Sequence, residues 1–322
     1  MKAIRYPSFG NPELVQLDEV PPPRPGPGEI LVDVVASSVN PADWKIGAGA
    51  LKGIIEYQPP FIPGLDFAGV VRELGAGVTG LEIGDRVYGA TTINRSGAFA
   101  EQLVAPASVM AKAPRSVPLT QAAAVPLAAL TAWGALFLPE HANLQAGQRV
   151  LILGGAGGTG AFATQLAHWK KAKVIATASA RNLDFLRSLG ADETIDYAAP
   201  LVTNGDQVDA VIDLVGGGAE MQARYIPLIR PGGIMTSAVS LPNADLVQRH
   251  NVRASFISGH RDGGVLAQLA GLIDAGHIKI VVSAEFPLAN AGDALAENRK
   301  GHTRGKIIVS VCAEDSIGRA FQ

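Results

Sequence analysis

The chain has one cysteine, Cys312, and no histidine in its first 122 residues. A lone cysteine excludes an internal disulfide and any multi-cysteine zinc site within one chain, and it fits an intracellular, reducing setting. Charge is sparse too: Asp, Glu, Lys and Arg make up 17% of residues, with a formal net charge of −2. That balance cannot build the broad basic face that neutralises phosphates, so nucleic acid is not an expected partner. The start, "MKAIRYPSFGNPE", lacks the long apolar core of a signal peptide, and a cytoplasmic location is expected. Only one uncharged run reaches the ~20 residues of a membrane span, "VPLTQAAAVPLAALTAWGALFLP" at 117–139. Pro126 in its middle, Gln121, Thr131 and the many alanines predict two buried helices broken at that proline, and no membrane.

What is present divides into two textures. With 322 residues, 48% of them hydrophobic, the chain exceeds the usual size of one core and predicts two domains of roughly 100–200 residues. Up to about residue 115 it consists of short Val- and Ile-rich runs, "EILVDVVAS", "DFAGVVREL", "DRVYGAT" and "GAFAEQLVA", separated by Gly and Pro. This is the pattern of a β-barrel or sandwich. From about 148, apolar strands alternate with helices. "RVLILGG" and "KVIATAS" flank "AFATQLAHWKKA", an amphipathic helix with Phe162, Ala163, Leu166, Ala167 and Trp169 largely on one side. "NLDFLRSLG" follows, with Asn182 placed to cap a helix and Gly190 to stop it. Further strands are "ETIDY", "VDAVIDLVG", "GGIMTSAVS" and "ASFISG". Apolar strands separated by helices form a parallel sheet covered on both faces.

At the first strand-to-helix turn, Gly155, Gly157 and Gly160 spell G-x-G-x-x-G, with Gly158 and Thr159 between them. Glycines let the backbone turn tightly and approach a pyrophosphate, while the first amides of the helix point toward its charge. A dinucleotide is the expected ligand; the plain alternative is an ordinary tight turn. An NAD site carries an acid about 20 residues on, for the ribose 2′-hydroxyl. Here that place holds Ser179, with Arg181 two further, and no Asp or Glu lies between Lys173 and Asp184. A hydroxyl and a forked guanidinium suit a 2′-phosphate, favouring NADPH, unless Arg181 is simply a solvated residue at a helix start.

Those features, with "GVTGLEIGDRVYG" at 77–89, "SLGADETIDY" at 188–197, "LIRPGG" at 228–233 and "KGHTRGKIIV" at 300–309, make the chain resemble the medium-chain dehydrogenases/reductases. Within them it is similar to the zinc-independent quinone oxidoreductases and alkenal (enone) reductases. The resemblance implies an α/β fold: a doubly wound Rossmann sheet over residues 123–259, inserted in a GroES-like β-barrel catalytic domain of 1–122 completed by 260–322. A ligand cleft between the two and a homodimer are also implied.

Zinc-bearing relatives place a cysteine where "SVNPAD" has Asn40, and a His-Glu pair where "PGLDFAG" has Leu65 and Asp66. With those ligands absent and carboxylates alone a poor zinc cage, no metal is expected. Losing the Lewis acid shifts the substrate toward quinones and enones, where hydride addition develops charge on a distant oxygen that hydrogen-bond donors stabilise. The resemblance carries roles to Asn40, near the nicotinamide and its ribose, and to Lys45, holding the ribose or donating to the substrate oxygen, with Asp43 orienting that lysine. A turn asparagine, a capping aspartate and a solvated lysine are the plain alternatives. It also places Thr131 near the carboxamide, Tyr197 by the 2′-phosphate and Lys306 at the pyrophosphate. Val215 and Ser237–Val239 fall at strand ends, where open α/β sheets bind ligands. Tyr57 and Phe61 are candidates to line a substrate entrance. Three functions stay open: an NADPH-dependent reductase of quinones or α,β-unsaturated carbonyls, an enoyl reductase acting on an acyl or polyketide-like intermediate, and a non-catalytic NADPH-binding protein.

Overall fold

The computed structural model describes residues 1–53, 58–93, 95–200 and 207–318. The chain forms two compact units, Met1–Leu127 together with the stretch from Arg261 onward, and Ala128–His260. In the first unit β1 (Lys2–Arg5) pairs antiparallel with β2 (Gln16–Glu19). Then come β3 (Glu29–Ser38), α1 (Pro41–Gly47), β4 (Asp66–Leu74), β5 (Arg86–Ala90), β6 (Gln102–Pro106), β7 (Met110–Lys112) and α2 (Leu119–Ala122). Pro126 opens α3 (Pro126–Phe137), so the uncharged run is split at the proline. A proline is tolerated at a first helical turn and not in mid-helix. Among the described residues no helix is long and apolar enough to cross a membrane.

In the second unit β8 (Arg149–Leu153), α4 (Gly158–Trp169), β9 (Lys173–Ala178), α5 (Leu183–Ser188), β10 (Glu193–Asp196), β11 (Val208–Asp213), α6 (Gly218–Tyr225), β12 (Ile229–Ser237), α7 (Ala244–Arg249) and β13 (Arg253–Phe256) alternate. Their six strands form one wholly parallel sheet in the order β10-β9-β8-β11-β12-β13. Counting from β8, that is the order 3-2-1-4-5-6 of a doubly wound dinucleotide fold, whose switch point lies between β8 and its neighbour β11. Leu151, Leu153, Ile175, Val208, Val211 and Met235 form its core with Tyr225 and Ile226.

Two local expectations are corrected. In α4 every residue from Gly160 to Ala167 is buried, so the helix has no solvent face over that stretch, whereas Trp169, expected on the buried side, is 37% exposed. Small side chains let neighbouring elements close over the helix all round. Asn182 does not cap α5: its side chain donates instead to Ser179 Oγ at 3.3 Å. Gly190 does follow the helix, at a φ of +97° that favours glycine.

The chain returns to the first unit through α8 (Gly263–Asp274), β14 (Val282–Pro287), α9 (Ala291–Lys300), β15 (Lys306–Ser310) and α10 (Glu314–Gly318). The seven-stranded sheet there runs β14-β15-β3-β4-β5-β7, with β6 also on β3. One edge of β3 is shared: Glu29–Asp33 face β6 and Ala36–Ser38 face β15, while β4 takes the other edge. From Ile30 to Ser38 the strand is buried throughout, which is why apolar residues fill both its faces, with Asp33 the charged exception, held by Arg72 and Gln102.

Gly160 shows how tightly α4 meets β8. A Cβ there would lie 2.7 Å from Gly155 Cα and closer still to the Gly154 carbonyl oxygen. Gly160→Ala is therefore expected to lower the unfolding free energy by roughly 1–3 kcal/mol, read from urea denaturation. An unchanged midpoint would show that the helix can back away from the strand.

Candidate functional site

All six strands of the second unit are parallel, so their C-terminal ends share one edge of the sheet, and the glycine loop lies on that edge. Gly154 follows β8 at a φ of +78°. Its amide donates to Thr177 Oγ1 at 3.0 Å, and the Gly155 amide donates to the Thr177 carbonyl at 2.9 Å, tying the loop to β9. Gly157 then turns back, its amide 3.0 Å from the Gly154 carbonyl. A side chain at Gly155 would meet Leu186 and Ala176 at 2.9 and 3.0 Å. No side chain caps α4. Among the described residues nothing accepts from the amides of Gly158, Thr159 and Gly160. Three unpaired amides at the N-terminus of a helix, beside a turn free of side chains, fit a pyrophosphate.

Ser179 directly follows β9 and Tyr197 directly follows β10, one step past the pair Asp196–Ala178. The Tyr197 amide donates to the Ala178 carbonyl at 3.1 Å, so the two positions are neighbours on the sheet edge. The Tyr197 side chain is exposed, as is Arg181, two residues beyond Ser179. Arg224 donates to the carbonyls of Tyr197 (2.9 Å) and Ala199 (2.7 Å), pinning the segment after β10. On the other side of β8, Val215 projects after β11 beside Gly154, where a Cβ would lie 2.6 Å from Val215 Cγ2. Thr131 is half-buried on α3.

The polar candidates of the first unit converge on Asp66, at the start of β4 and fully buried. Its Oδ2 accepts from Ser38 Oγ (2.6 Å), Asn40 Nδ2 (2.7 Å) and Lys306 Nζ (3.2 Å), and its Oδ1 from the Leu127 amide (2.7 Å). Asn40, which precedes α1, spends its whole side chain here: Oδ1 accepts from Lys306 Nζ at 2.6 Å and Nδ2 also reaches the Ser38 carbonyl at 3.4 Å. Lys306 is a correction to the sequence expectation. It is buried, and its three protons go to the Val39 carbonyl, Asn40 and Asp66, which leaves none for a pyrophosphate. Asp43 is a second correction. It points inward, its Oδ2 accepting from the Asn40 amide at 2.8 Å, while Lys45 is exposed with its ammonium 5.6 Å from the Trp44 ring centroid. A buried carboxylate two residues earlier, turned to the Asn40 amide, does not orient that lysine. Phe61 is buried and stacked on Tyr6, with ring centroids 5.3 Å apart. Tyr57 lies outside the described residues.

Burial is the main reason that Asp43 is pushed up from 3.8 to about 7. The Asn40 amide opposes it, the Asp66 charge adds to it, and Lys306 and a weaker pull from the Gly64 amide act against it. Among the described residues no three His, Cys, Asp or Glu side chains converge as a metal site requires. Reasoning along the chain missed Asp213, considered Asp66 only as a position without its zinc ligand, and placed Ser237 at a strand end without its partner. Asp213 and Ser237 are both fully buried at the ends of β11 and β12.

An alcohol dehydrogenase GroES-like domain matches residues 26–115 and a zinc-binding dehydrogenase domain matches 189–309. The chain is 33% identical over 327 residues to the chloroplast envelope quinone oxidoreductase homolog of Arabidopsis thaliana, covering 96% of this chain and 98% of that one. Its identity to the chloroplastic NADPH-dependent alkenal/one oxidoreductase of the same plant is 33% over 324 residues, covering 96% and 79%. Among solved structures, the quinone oxidoreductase from Coxiella burnetii superposes with a TM-score of 0.87 at 33% identity, over 97% of this chain and 99% of that one.

The raised Asp43 fixes a sign for stability. Between 3.8 and about 7 the folded chain keeps a proton that the unfolded chain has lost. Its contribution is therefore present below 3.8, falls as pH rises toward 7, and is flat above. Asp43→Asn, which resembles the protonated acid, is expected to gain stability relative to the native chain as pH rises from 4 to 7, with no further gain above. Urea denaturation at several pH values checks this; a difference independent of pH would place the titration elsewhere.

Proposed function

The chain belongs to the medium-chain dehydrogenase/reductase superfamily, in the branch of its quinone and alkenal oxidoreductases, and from that premise we propose a zinc-independent reductase that uses NADPH on quinones or α,β-unsaturated carbonyls. The observation that carries the reading is the pairing of three unpaired amides at Gly158–Gly160 with an exposed Arg181 near Ser179 and Tyr197 on the same sheet edge. An acid there would repel a 2′-phosphate; a guanidinium grips it.

In this reading the amides of Gly158, Thr159 and Gly160 hold the pyrophosphate, and Gly155 and Gly157 keep the turn clear of side chains. Ser179, Arg181 and Tyr197 hold the 2′-phosphate end. Val215 and Thr131 flank the nicotinamide end. Bound along this edge, a nicotinamide cofactor supplies the hydride. Lys45, exposed and with no carboxylate partner among the described residues, binds the ribose or donates to the substrate oxygen as charge develops there. Asn40 and Asp43 hold the start of α1, the helix that carries Lys45: Asn40 precedes α1, and the Asp43 carboxylate accepts its amide. Lys306 supplies a fixed positive charge to the same cluster. We also assign the protein to the cytoplasm as a homodimer, on the support of its single cysteine and of the family resemblance.

The direct test mixes purified protein with NADPH and a panel of quinones and enones in the presence of a metal chelator, following cofactor absorbance. Oxidation of NADPH by at least one acceptor is expected; none on any acceptor overturns the proposal. Arg181→Ala is expected to raise the Kd for NADPH roughly tenfold and leave NADH little changed. Equal losses for both would move the 2′-phosphate to other residues. Lys45→Met is expected to slow turnover with little change in NADPH affinity, and native rates would remove the lysine from the mechanism.

A further inference from the structure

The loops after β11 and β12 hang on one pair of buried side chains. Asp213 ends β11 and Ser237 ends β12, and the two are partners in register. Asp213 Oδ1 accepts from the amides of Val215 (3.0 Å) and Gly216 (2.9 Å), and its Oδ2 accepts from Ser237 Oγ at 2.8 Å. Ser237 Oγ accepts in turn from the amides of Val239 (3.1 Å) and Ser240 (3.2 Å). The Ala238 amide closes the set on the Asp213 carbonyl at 2.9 Å. Five backbone amides from two loops are thus held by one carboxylate, one hydroxyl and one carbonyl.

The loops so fixed present aliphatic side chains outward. Val215 is 60% and Val239 41% exposed. Val239 lies against Gly216, where a Cβ would come within 2.8 Å of Val239 Cγ1, as Val215 lies against Gly154. An apolar line therefore runs from the glycine loop along the ends of β11 and β12. The residues suited to the 2′-phosphate lie after β9 and β10, on the opposite side of β8. A dinucleotide crossing the switch point with its adenosine half there has its other half over β11 and β12.

The geometry points to Asp213 and Ser237 as positioning residues that set Val215 and Val239 as an apolar seat for the nicotinamide half of the cofactor. This rests on the proposed NADPH reading. Neither residue touches the ligand; their effect passes through the amides they hold. Covering the two valines is favourable because apolar surface leaves water, and a loop already held in place is not ordered anew on binding.

The test compares NADPH with 2′,5′-ADP, which has the adenosine half and the 2′-phosphate but no nicotinamide, by titration calorimetry. In Ser237→Ala the Kd for NADPH is expected to rise roughly three- to tenfold while that for 2′,5′-ADP stays as in the native chain. Ser237→Thr, which keeps the hydroxyl, is expected to restore most of the difference. Val239→Ser, a change on an exposed side chain that leaves the amide network intact, is expected to weaken NADPH alone and tests the seat even if Ser237→Ala does not fold. Equal losses for both compounds, or no loss for NADPH in Val239→Ser, overturn the inference and leave the proposed function standing. A native chain that binds neither compound overturns the proposed function, and this inference with it.

Discussion

Asp66 is a carboxylate with no access to water, held in the first unit by Ser38, Asn40, Lys306 and the Leu127 amide. A buried charge is tolerated only when its lone pairs are filled, and removing one partner of such a set costs about 3–5 kcal/mol. The donors come from the end of β3, the residue before α1, the start of β15 and the start of α3. One side chain therefore ties the start of β4 to three segments that are far apart along the chain, at residues 38–40, 127 and 306. Lys306 gives the cluster its positive charge and Asn40 bridges the two, so the charge is matched in place and the backbone at the start of α1 is held with it.

The second unit is organised on backbone amides and close approach. Where the first unit places charge inside, this one places glycine: Gly155 and Gly160 let α4 press against β8 and leave the first amides of the helix open. Asp213 does at the far side of β8 what Asp66 does in the first unit, gathering donors onto a buried carboxylate, but its donors belong to loops that face outward. Both clusters put a single acid at the end of an apolar strand, where a helix or loop needs an acceptor.

Much of this was legible along the chain because it depends on local pattern. Uniform Val and Ile runs gave the strands of both units, Pro126 gave the break between α2 and α3, and the glycine spacing gave the turn after β8. The misreadings share a cause. Lys306 and Asp66 stand 240 positions apart, and neither the lysine's own neighbours nor the resemblance shows that its protons are already committed. Asp43 lies two residues from Lys45, yet successive helical residues point different ways, so proximity in sequence does not pair them. Asp213 carried a faint signal, a lone acid closing the apolar run "VDAVID", but its partner Ser237 belongs to another strand. Residue type alone makes Asn182 a cap, while the bond it makes is to Ser179.

The first unit is discontinuous, and its polar cluster needs β15. During synthesis a growing chain exposes β3, α1 and β4 long before Lys306 is added. Until then Asp66 has no cation, and one stretch of the β3 edge has no strand beside it. The second unit, contiguous from Ala128 to His260, has all its strands by then. Vectorial growth thus lets the contiguous middle of the chain complete its sheet before the first unit does. The N-terminal strands pair with one another but gain the last stretch of the β3 edge and the cation for Asp66 only with the late segment.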